Sequence, residues 1–195
     1  GTGMAQTDSF RPALSIVASP TKRRAILELA VEAENRGLSG LACPSLGGTM
    51  GLCVSLAHAT HTIPYWTSIQ PIYYSLPVEA AKTASHMNVV SDGGFRFGIG
   101  VSHGPVTQRL GVSTGKPLSD ISDYVAAMRA NERFGGQLPP IYLATLRNKM
   151  LQLASDIAEG AIWANASLSH MDKQLNEVPT SRKSEFFLSN MIPTV

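Results

Sequence analysis

The chain has 195 residues, of which 44% are hydrophobic and 15% are charged, and its formal net charge is +2. These values are typical of a soluble globular domain that is long enough for one core. The balanced charge, without a basic stripe that alternates with aromatic residues, argues against a nucleic-acid-binding protein, and no apolar stretch is long enough to span a membrane.

The two cysteines and the first residues indicate the compartment and the domain limits. Cys43 and Cys53 form no CxxC motif and no secretory signal precedes them, so we expect a cytoplasmic protein with free thiols. Residues 1–3, before Met4, are typical of an expression-tag remnant. We therefore predict a tag remnant and flexible N-terminus over 1–11 and a single domain over 12–195.

Strand and helix patterns alternate along the chain. One unit takes roughly 25–35 residues, which predicts repeated βαβ units with a parallel sheet. A doubly wound sheet and a (β/α)8 barrel both agree with this spacing. The predicted strands cover 14–18, 41–43, 65–69, 95–101, 140–144, 161–164 and 186–188. Helical periodicity or helix-start signals appear near 22–37, 50–61, 77–90, 118–128, 150–158 and 169–178.

The run over 95–105 matches two catalytic motifs. Gly98-Ile99-Gly100 begins a dinucleotide-binding G-x-G-x-x-G, but His103 stands where the third glycine is needed for close helix–strand packing. The same run contains G-x-S-x-G, which would make Ser102 the nucleophile of a serine hydrolase. A long helix should follow such a serine, but Pro105 and the later glycines and prolines break it. A barrel strand that ends in polar groups explains the flanks best.

Several stretches together resemble the luciferase-like monooxygenases, and among them the group that uses the deazaflavin coenzyme F420. The resemblance runs from about residue 12 to the end of the chain. It is carried by TSIQPIY at 67–73, the stretches 77–94 and 95–105, LPPIYLA at 138–144, and DIAEGAIW at 156–163.

The resemblance implies a (β/α)8 TIM barrel that binds coenzyme F420, or alternatively FMN, at the C-terminal strand ends. It implies an oxidoreductase or monooxygenase that transfers hydride to, or oxygenates, a small organic substrate, in a protein that forms a homodimer. The chain is expected to stop after strand seven, so strand eight would be missing. Open edges of that kind are a liability unless they are covered. An incomplete, non-catalytic barrel that binds partners or oligomerises through these edges is therefore the alternative.

Function in such a barrel is placed at the C-terminal ends of strands and in the loops that follow them. Thr67, Ser68 and Ile69 end the third predicted strand, where relatives often have a bulge with a non-proline cis peptide behind the cofactor ring. Ser102 and His103 end the fourth, which by resemblance lies near the ring. His103 is the candidate for catalytic proton transfer, because histidine titrates near neutral pH.

The segment from Thr145 to Lys149 is the candidate anion site. It joins a strand to a helix, so unpaired N–H groups and the positive end of the helix dipole would face the loop. Arg147 and Lys149 add positive charge. Relatives hold the cofactor phosphate near this position, so Thr145, Leu146, Arg147 and Lys149 are the predicted cofactor contacts.

A zinc site is not expected. His58 and His61 have helical spacing, but neither a glutamate nor a further ligand accompanies them, so we predict no metal.

Overall fold

The computed structural model describes residues 12–101, 116–144 and 148–162. These ranges contain seven strands, and helices separate all of them except the third and fourth, which follow each other directly. The strands are β1 (Leu14–Ser15), β2 (Leu41–Cys43), β3 (Tyr65–Thr67), β4 (Gln70–Pro71), β5 (Phe95–Gly100), β6 (Ile141–Ala144) and β7 (Gly160–Ile162). The predicted strand at 186–188, the predicted helix at 169–178 and the predicted flexible residues 1–11 lie outside the described residues.

The helices follow the predicted periodicity. They are α1 (Arg23–Asn35), α2 (Thr49–Ala59), α3 (Pro77–Val90), α4 (Pro117–Ala130), α5 (Glu132–Gly135) and α6 (Asn148–Ile157), and a 3-10 helix covers Ile72–Tyr74. Both α3 and α4 begin with proline. The N–H group that proline lacks would have no hydrogen-bond partner within the first turn of a helix, so proline is well tolerated there. None of the helices in the described ranges combines the length and the hydrophobicity that a membrane span requires.

All strand pairs are parallel, and the strands lie side by side in the order β1-β2-β3-β5-β6-β7, with β4 beside β5. This order follows the chain without reversal. A doubly wound sheet would reverse at its first strand, where dinucleotides bind, whereas a (β/α)8 barrel adds each strand beside the previous one. The structure therefore confirms the barrel-type α/β fold and contradicts the dinucleotide-binding interpretation of Gly98-Ile99-Gly100.

The third predicted strand, over 65–69, is interrupted. β3 pairs Trp66 with Arg96, and β4 pairs Gln70 with Ile99. The chain advances four residues from Trp66 to Gln70, whereas β5 advances only three from Arg96 to Ile99. One extra residue is therefore inserted between β3 and β4. An insertion of this kind is a β-bulge, which bends the strand and re-aims its side chains. The bulge that the resemblance implied is present, and the prediction of one continuous strand over 65–69 is wrong.

The alternation of side chains along the strands builds two apolar layers. Tyr65, Phe95 and Phe97 face the helices, and the rings of Tyr65 and Phe95 lie 5.2 Å apart. Trp66 and Tyr142 face the other way, in an inner cluster with Ala42 and Ile162 against which Ala13 and Ile69 pack. Trp66 is 2% exposed, which confirms that it is a core residue.

Candidate functional site

The bulge lies at the C-terminal end of β3, the end at which barrel enzymes place their active sites. Its first residue, Thr67, is fully buried, and its hydroxyl donates a 2.6 Å hydrogen bond to the carbonyl oxygen of Gly98. On the other side, the Ser68 N–H donates to the carbonyl oxygen of Cys43 at 2.9 Å. The bulge is thus fastened to both neighbouring strands.

Ser68 has an unusual hydroxyl. Its side chain is buried, yet the Oγ atom has no hydrogen-bond partner among the residues that the structure describes. Burying a hydroxyl without a partner costs roughly 1–3 kcal/mol, so such a group is a candidate to receive a ligand. The peptide bond between Ser68 and Ile69 is cis, as the resemblance implied.

Two glycines of β5 make room for the bulge. A Cβ atom on Gly98 would overlap the Thr67 carbonyl oxygen. On Gly100 it would lie 2.8 Å from Cδ1 of Ile69 and 3.0 Å from Cβ of Ala144. The glycines that looked like a phosphate-binding or nucleophile motif are therefore required by close packing inside the barrel. Ile69, Gly100 and Ala144 form a small apolar surface at this end, which we call the floor.

The floor can contact the flat, apolar face of a ligand, and the Ser68 hydroxyl beside it can form a hydrogen bond with a polar atom at the edge of that ligand. These are the requirements of a planar heteroaromatic group.

The thiols of the neighbouring Cys43 and Cys53 are fully buried. Burial raises the pKa of Cys53 well above its usual value, and the adjacent Cys43 thiol adds to this shift. Both cysteines are free, as predicted, and serve packing rather than nucleophilic chemistry.

Several predicted site residues lie outside the described residues. These are Ser102 and His103, and Thr145, Leu146 and Arg147 of the anion-site segment. Lys149 is described and lies exposed in the first turn of α6. The structure thus brings Thr67, Ser68 and Ile69 together at the strand ends, while the roles predicted for the other residues stay predictions.

In the described ranges, no group of three or more histidine, cysteine or acidic side chains is placed to bind a metal ion. His58 and His61 therefore belong to no metal centre in this part of the chain.

Two polar contacts near this end of the barrel were not predicted. The Tyr73 hydroxyl, in the 3-10 helix after β4, donates a 2.7 Å hydrogen bond to Asp120 in the first turn of α4. Nearby, the Tyr124 hydroxyl donates to the carbonyl oxygen of Ser75 at 2.9 Å. Burial raises the pKa of Tyr124, and the side-chain hydroxyl of Ser75, 3.5 Å from the Tyr124 oxygen, opposes this shift. The partners are 47 and 49 residues apart, so no local pattern could have indicated these contacts.

Known proteins share this architecture. The family model described as luciferase-like monooxygenase matches residues 7–184. A coenzyme F420 dependent tetrahydromethanopterin reductase from Methanopyrus kandleri is 15% identical with a TM-score of 0.75, and the match covers 92% of this chain and 65% of that one. The chain therefore spans less than two thirds of the length of the reductase.

Two further solved structures are similar. The oxygenating constituent of 3,6-diketocamphane monooxygenase from Pseudomonas putida, in complex with FMN, is 12% identical with a TM-score of 0.72, over 92% of this chain and 67% of that one. An F420-dependent secondary alcohol dehydrogenase in complex with an F420–acetone adduct is 16% identical with a TM-score of 0.70, over 94% and 69%. At these identities the structures establish the fold alone, whereas the family model matches most of the sequence. The chain belongs to the luciferase-like monooxygenase family.

Proposed function

We propose that the chain is an oxidoreductase that uses coenzyme F420, with FMN as the alternative, to act on a small organic substrate. Family membership supports the general class. Similar structures include F420-dependent enzymes and one that holds FMN, so an experiment on cofactor binding has to include both. Such a cofactor, when bound, supplies hydride transfer or, as reduced flavin, oxygen activation, while the protein supplies binding, orientation and electrostatics.

The observation that carries the proposal is the buried Ser68 hydroxyl beside the floor, for which the described part of the chain offers no hydrogen-bond partner. A flavin or deazaflavin ring is planar, with apolar faces and a polar edge. Ile69 offers an apolar contact for one face, and the absence of a side chain at Gly100 keeps the floor flat. Ser68 offers a hydrogen bond for the edge. The residues present therefore fit the group that the family uses.

The described residues then take distinct roles. Thr67 positions the bulge through its hydrogen bond to Gly98, while Ser68 and Ile69 bind and orient the ring. Ile69 also shields one ring face from water. Lys149, exposed at the start of α6, balances the negative charge of a cofactor phosphate.

The remaining predicted residues complete this proposal. Thr145, Leu146 and Arg147 precede Lys149 and would add N–H donors and a guanidinium to the phosphate site. Ser102 and His103 follow β5 and would lie near the ring, with His103 as the group that moves a proton.

Two further features belong to the proposal. The active form is a homodimer, as is common in the family. The location is cytoplasmic, a proposal supported by two buried cysteines that both remain free thiols.

Titration of the purified 195-residue chain with coenzyme F420 and with FMN, followed by cofactor fluorescence, tests the function. Saturable binding of one cofactor, with a clear preference over the other, is the expected result. Mass and oligomeric state are measured on the same sample. Failure of both cofactors to bind a folded sample would overturn the proposal and favour the alternative, a barrel that binds partners without catalysis.

A further inference from the structure

A second concave region lies at the opposite end of the barrel, where the strands begin. It is a cavity of about 290 Å³ between two connections. Residues 60–64 lead from α2 to β3, and residues 91–94 lead from α3 to β5. Tyr65 of β3 and Arg96 of β5 complete the lining. The cofactor site proposed above is at the other end of the same strands, so the cavity has no part in that proposal.

Arg96 gives the cavity its chemical character. Arg96 is half-buried, and its Nη1 atom donates to the carbonyl oxygens of Gly93 and Phe95. Within the described ranges it forms no salt bridge. A partly buried cation with no carboxylate partner attracts anions, because little solvent remains to screen its charge. A guanidinium also offers more N–H donors than two carbonyl groups can use.

Arg96 also touches the inner cluster. Burial raises the pKa of Tyr142, the charge and hydrogen bond of Arg96 oppose that shift, and Glu159 reinforces it. Tyr142 belongs to the same cluster as Trp66.

The walls of the cavity are fixed before any ligand arrives. The Glu34 carboxylate accepts hydrogen bonds from the N–H groups of His61, Thr62 and Ile63 at 2.8, 2.7 and 3.0 Å, which holds the first connection against α1. In the second connection the Gly94 N–H donates to the carbonyl oxygen and to Oγ of Ser91, both at 3.1 Å. A rigid wall lowers the entropic cost of binding.

We propose that this cavity is a binding site for a small oxyanion, a carboxylate or phosphate group, and that Arg96 is the main residue that binds it. The hydroxyl groups of Thr62 and Ser91 also line the cavity, but Thr62 donates to Glu34 and Ser91 to Tyr65, so the N–H groups of Arg96 are the donors that a bound anion would use. Asp92 is the one acidic residue in the lining. It is exposed, so water and salt screen its charge more effectively than they screen the half-buried guanidinium.

Backbone amide chemical shifts recorded during a titration with inorganic phosphate, at constant ionic strength, test the site. The expected result is saturable shifts at Gly93, Gly94 and Arg96, with binding at least about tenfold weaker in Arg96→Gln because a charge-assisted contact is lost. Asp92→Asn should bind a few-fold more tightly, and asparagine tolerates the positive φ of 53° at this turn. Lys149→Gln, which alters the proposed cofactor site at the other end, should leave these shifts unchanged.

Unchanged phosphate affinity in folded Arg96→Gln, or no saturable shift in the wild type, would overturn the proposal. Arg96→Lys replaces the glutamine variant if that variant does not fold. Lysine keeps the charge but loses the planar fork of donors, so weaker binding supports the assignment and unchanged binding contradicts it. A parallel titration with acetate shows which oxyanion, carboxylate or phosphate, is preferred.

Discussion

The hydroxyl of Thr67 and the carbonyl oxygen of Gly98 are joined by a 2.6 Å hydrogen bond inside the barrel. This bond fixes the bulge that ends β3 to the neighbouring β5. It is possible only because Gly98 has no side chain, since a Cβ atom there would overlap the Thr67 carbonyl group. The position of Ser68 and Ile69, and with it the proposed cofactor site, therefore depends on a glycine in the next strand.

Gly98→Ala should destabilise the protein strongly. The added methyl group meets the Thr67 backbone, which cannot move aside, as well as the Ile162 side chain, so overpacking should cost about 2–4 kcal/mol of unfolding free energy. Urea unfolding measures the loss. Gly51→Ala is the matched control, because Gly51 lies exposed in α2 and a Cβ atom added there would meet only open space. That change should stabilise the helix by about 0.5–1 kcal/mol. Equal effects of the two substitutions would contradict the packing argument.

Ser68→Ala should separate binding from stability. Because the hydroxyl is buried without a partner in the described ranges, its removal should leave the unfolding free energy unchanged or raise it slightly. Cofactor affinity should fall about fivefold, the equivalent of one hydrogen bond of about 1 kcal/mol. Thr67→Val is the contrasting variant, since it removes a satisfied hydrogen bond and should cost about 1–2 kcal/mol of stability. A large stability loss in Ser68→Ala would show that its hydroxyl has a structural partner.

Glu34 should make stability depend on pH. Burial opposes ionisation of this carboxylate, but the hydrogen bonds from residues 61–63 outweigh it and lower the pKa of Glu34 below its usual 4.5. A carboxylate with a lowered pKa in the folded state stabilises fully above its unfolded pKa. That contribution is lost as the pH falls through the folded value. Glu34→Gln should therefore be less stable than the wild type by about 1 kcal/mol at neutral pH.

The difference between Glu34→Gln and the wild type should shrink as the solution is made acidic below pH 4.5. Thermal or urea unfolding at several pH values gives the comparison. Glu32→Gln is the control, because Glu32 forms an exposed pair with Arg36 four residues away, and such pairs contribute little. A pH-independent difference for Glu34→Gln would show that its charge is not what holds the connection.

The sequence was a good guide to elements whose signals are local. Apolar spacing predicted α1, and Pro77 marked the start of α3, since helix periodicity and proline placement are properties of short segments. The parallel α/β architecture followed from the alternation of these elements. The choice between barrel and doubly wound sheet needed the strand order, which depends on contacts between distant segments.

The details of the site were less predictable. Nothing local in 65–69 marks the inserted residue, because a bulge is defined by the partner strand. Gly98 and Gly100 indicated only that side chains are absent, and a phosphate loop, a nucleophile elbow and close packing all require that. The Tyr73–Asp120 contact and the Glu34 hydrogen bonds join residues far apart in the chain, so they arise from the tertiary fold.

The proposed function depends on the floor formed by Ile69, Gly100 and Ala144, which should bind the cofactor ring. Fluorescence titration of coenzyme F420 and FMN against the wild type and Ala144→Phe examines this contact, because a large side chain there would fill the space above Gly100. Val89→Phe adds comparable bulk at an exposed position of α3 and serves as the control. We predict that the wild type and Val89→Phe bind equally, and that folded Ala144→Phe binds at least about tenfold more weakly, a loss of about 1.4 kcal/mol or more. Equal affinity in all three folded proteins would show that the ring does not bind at the floor.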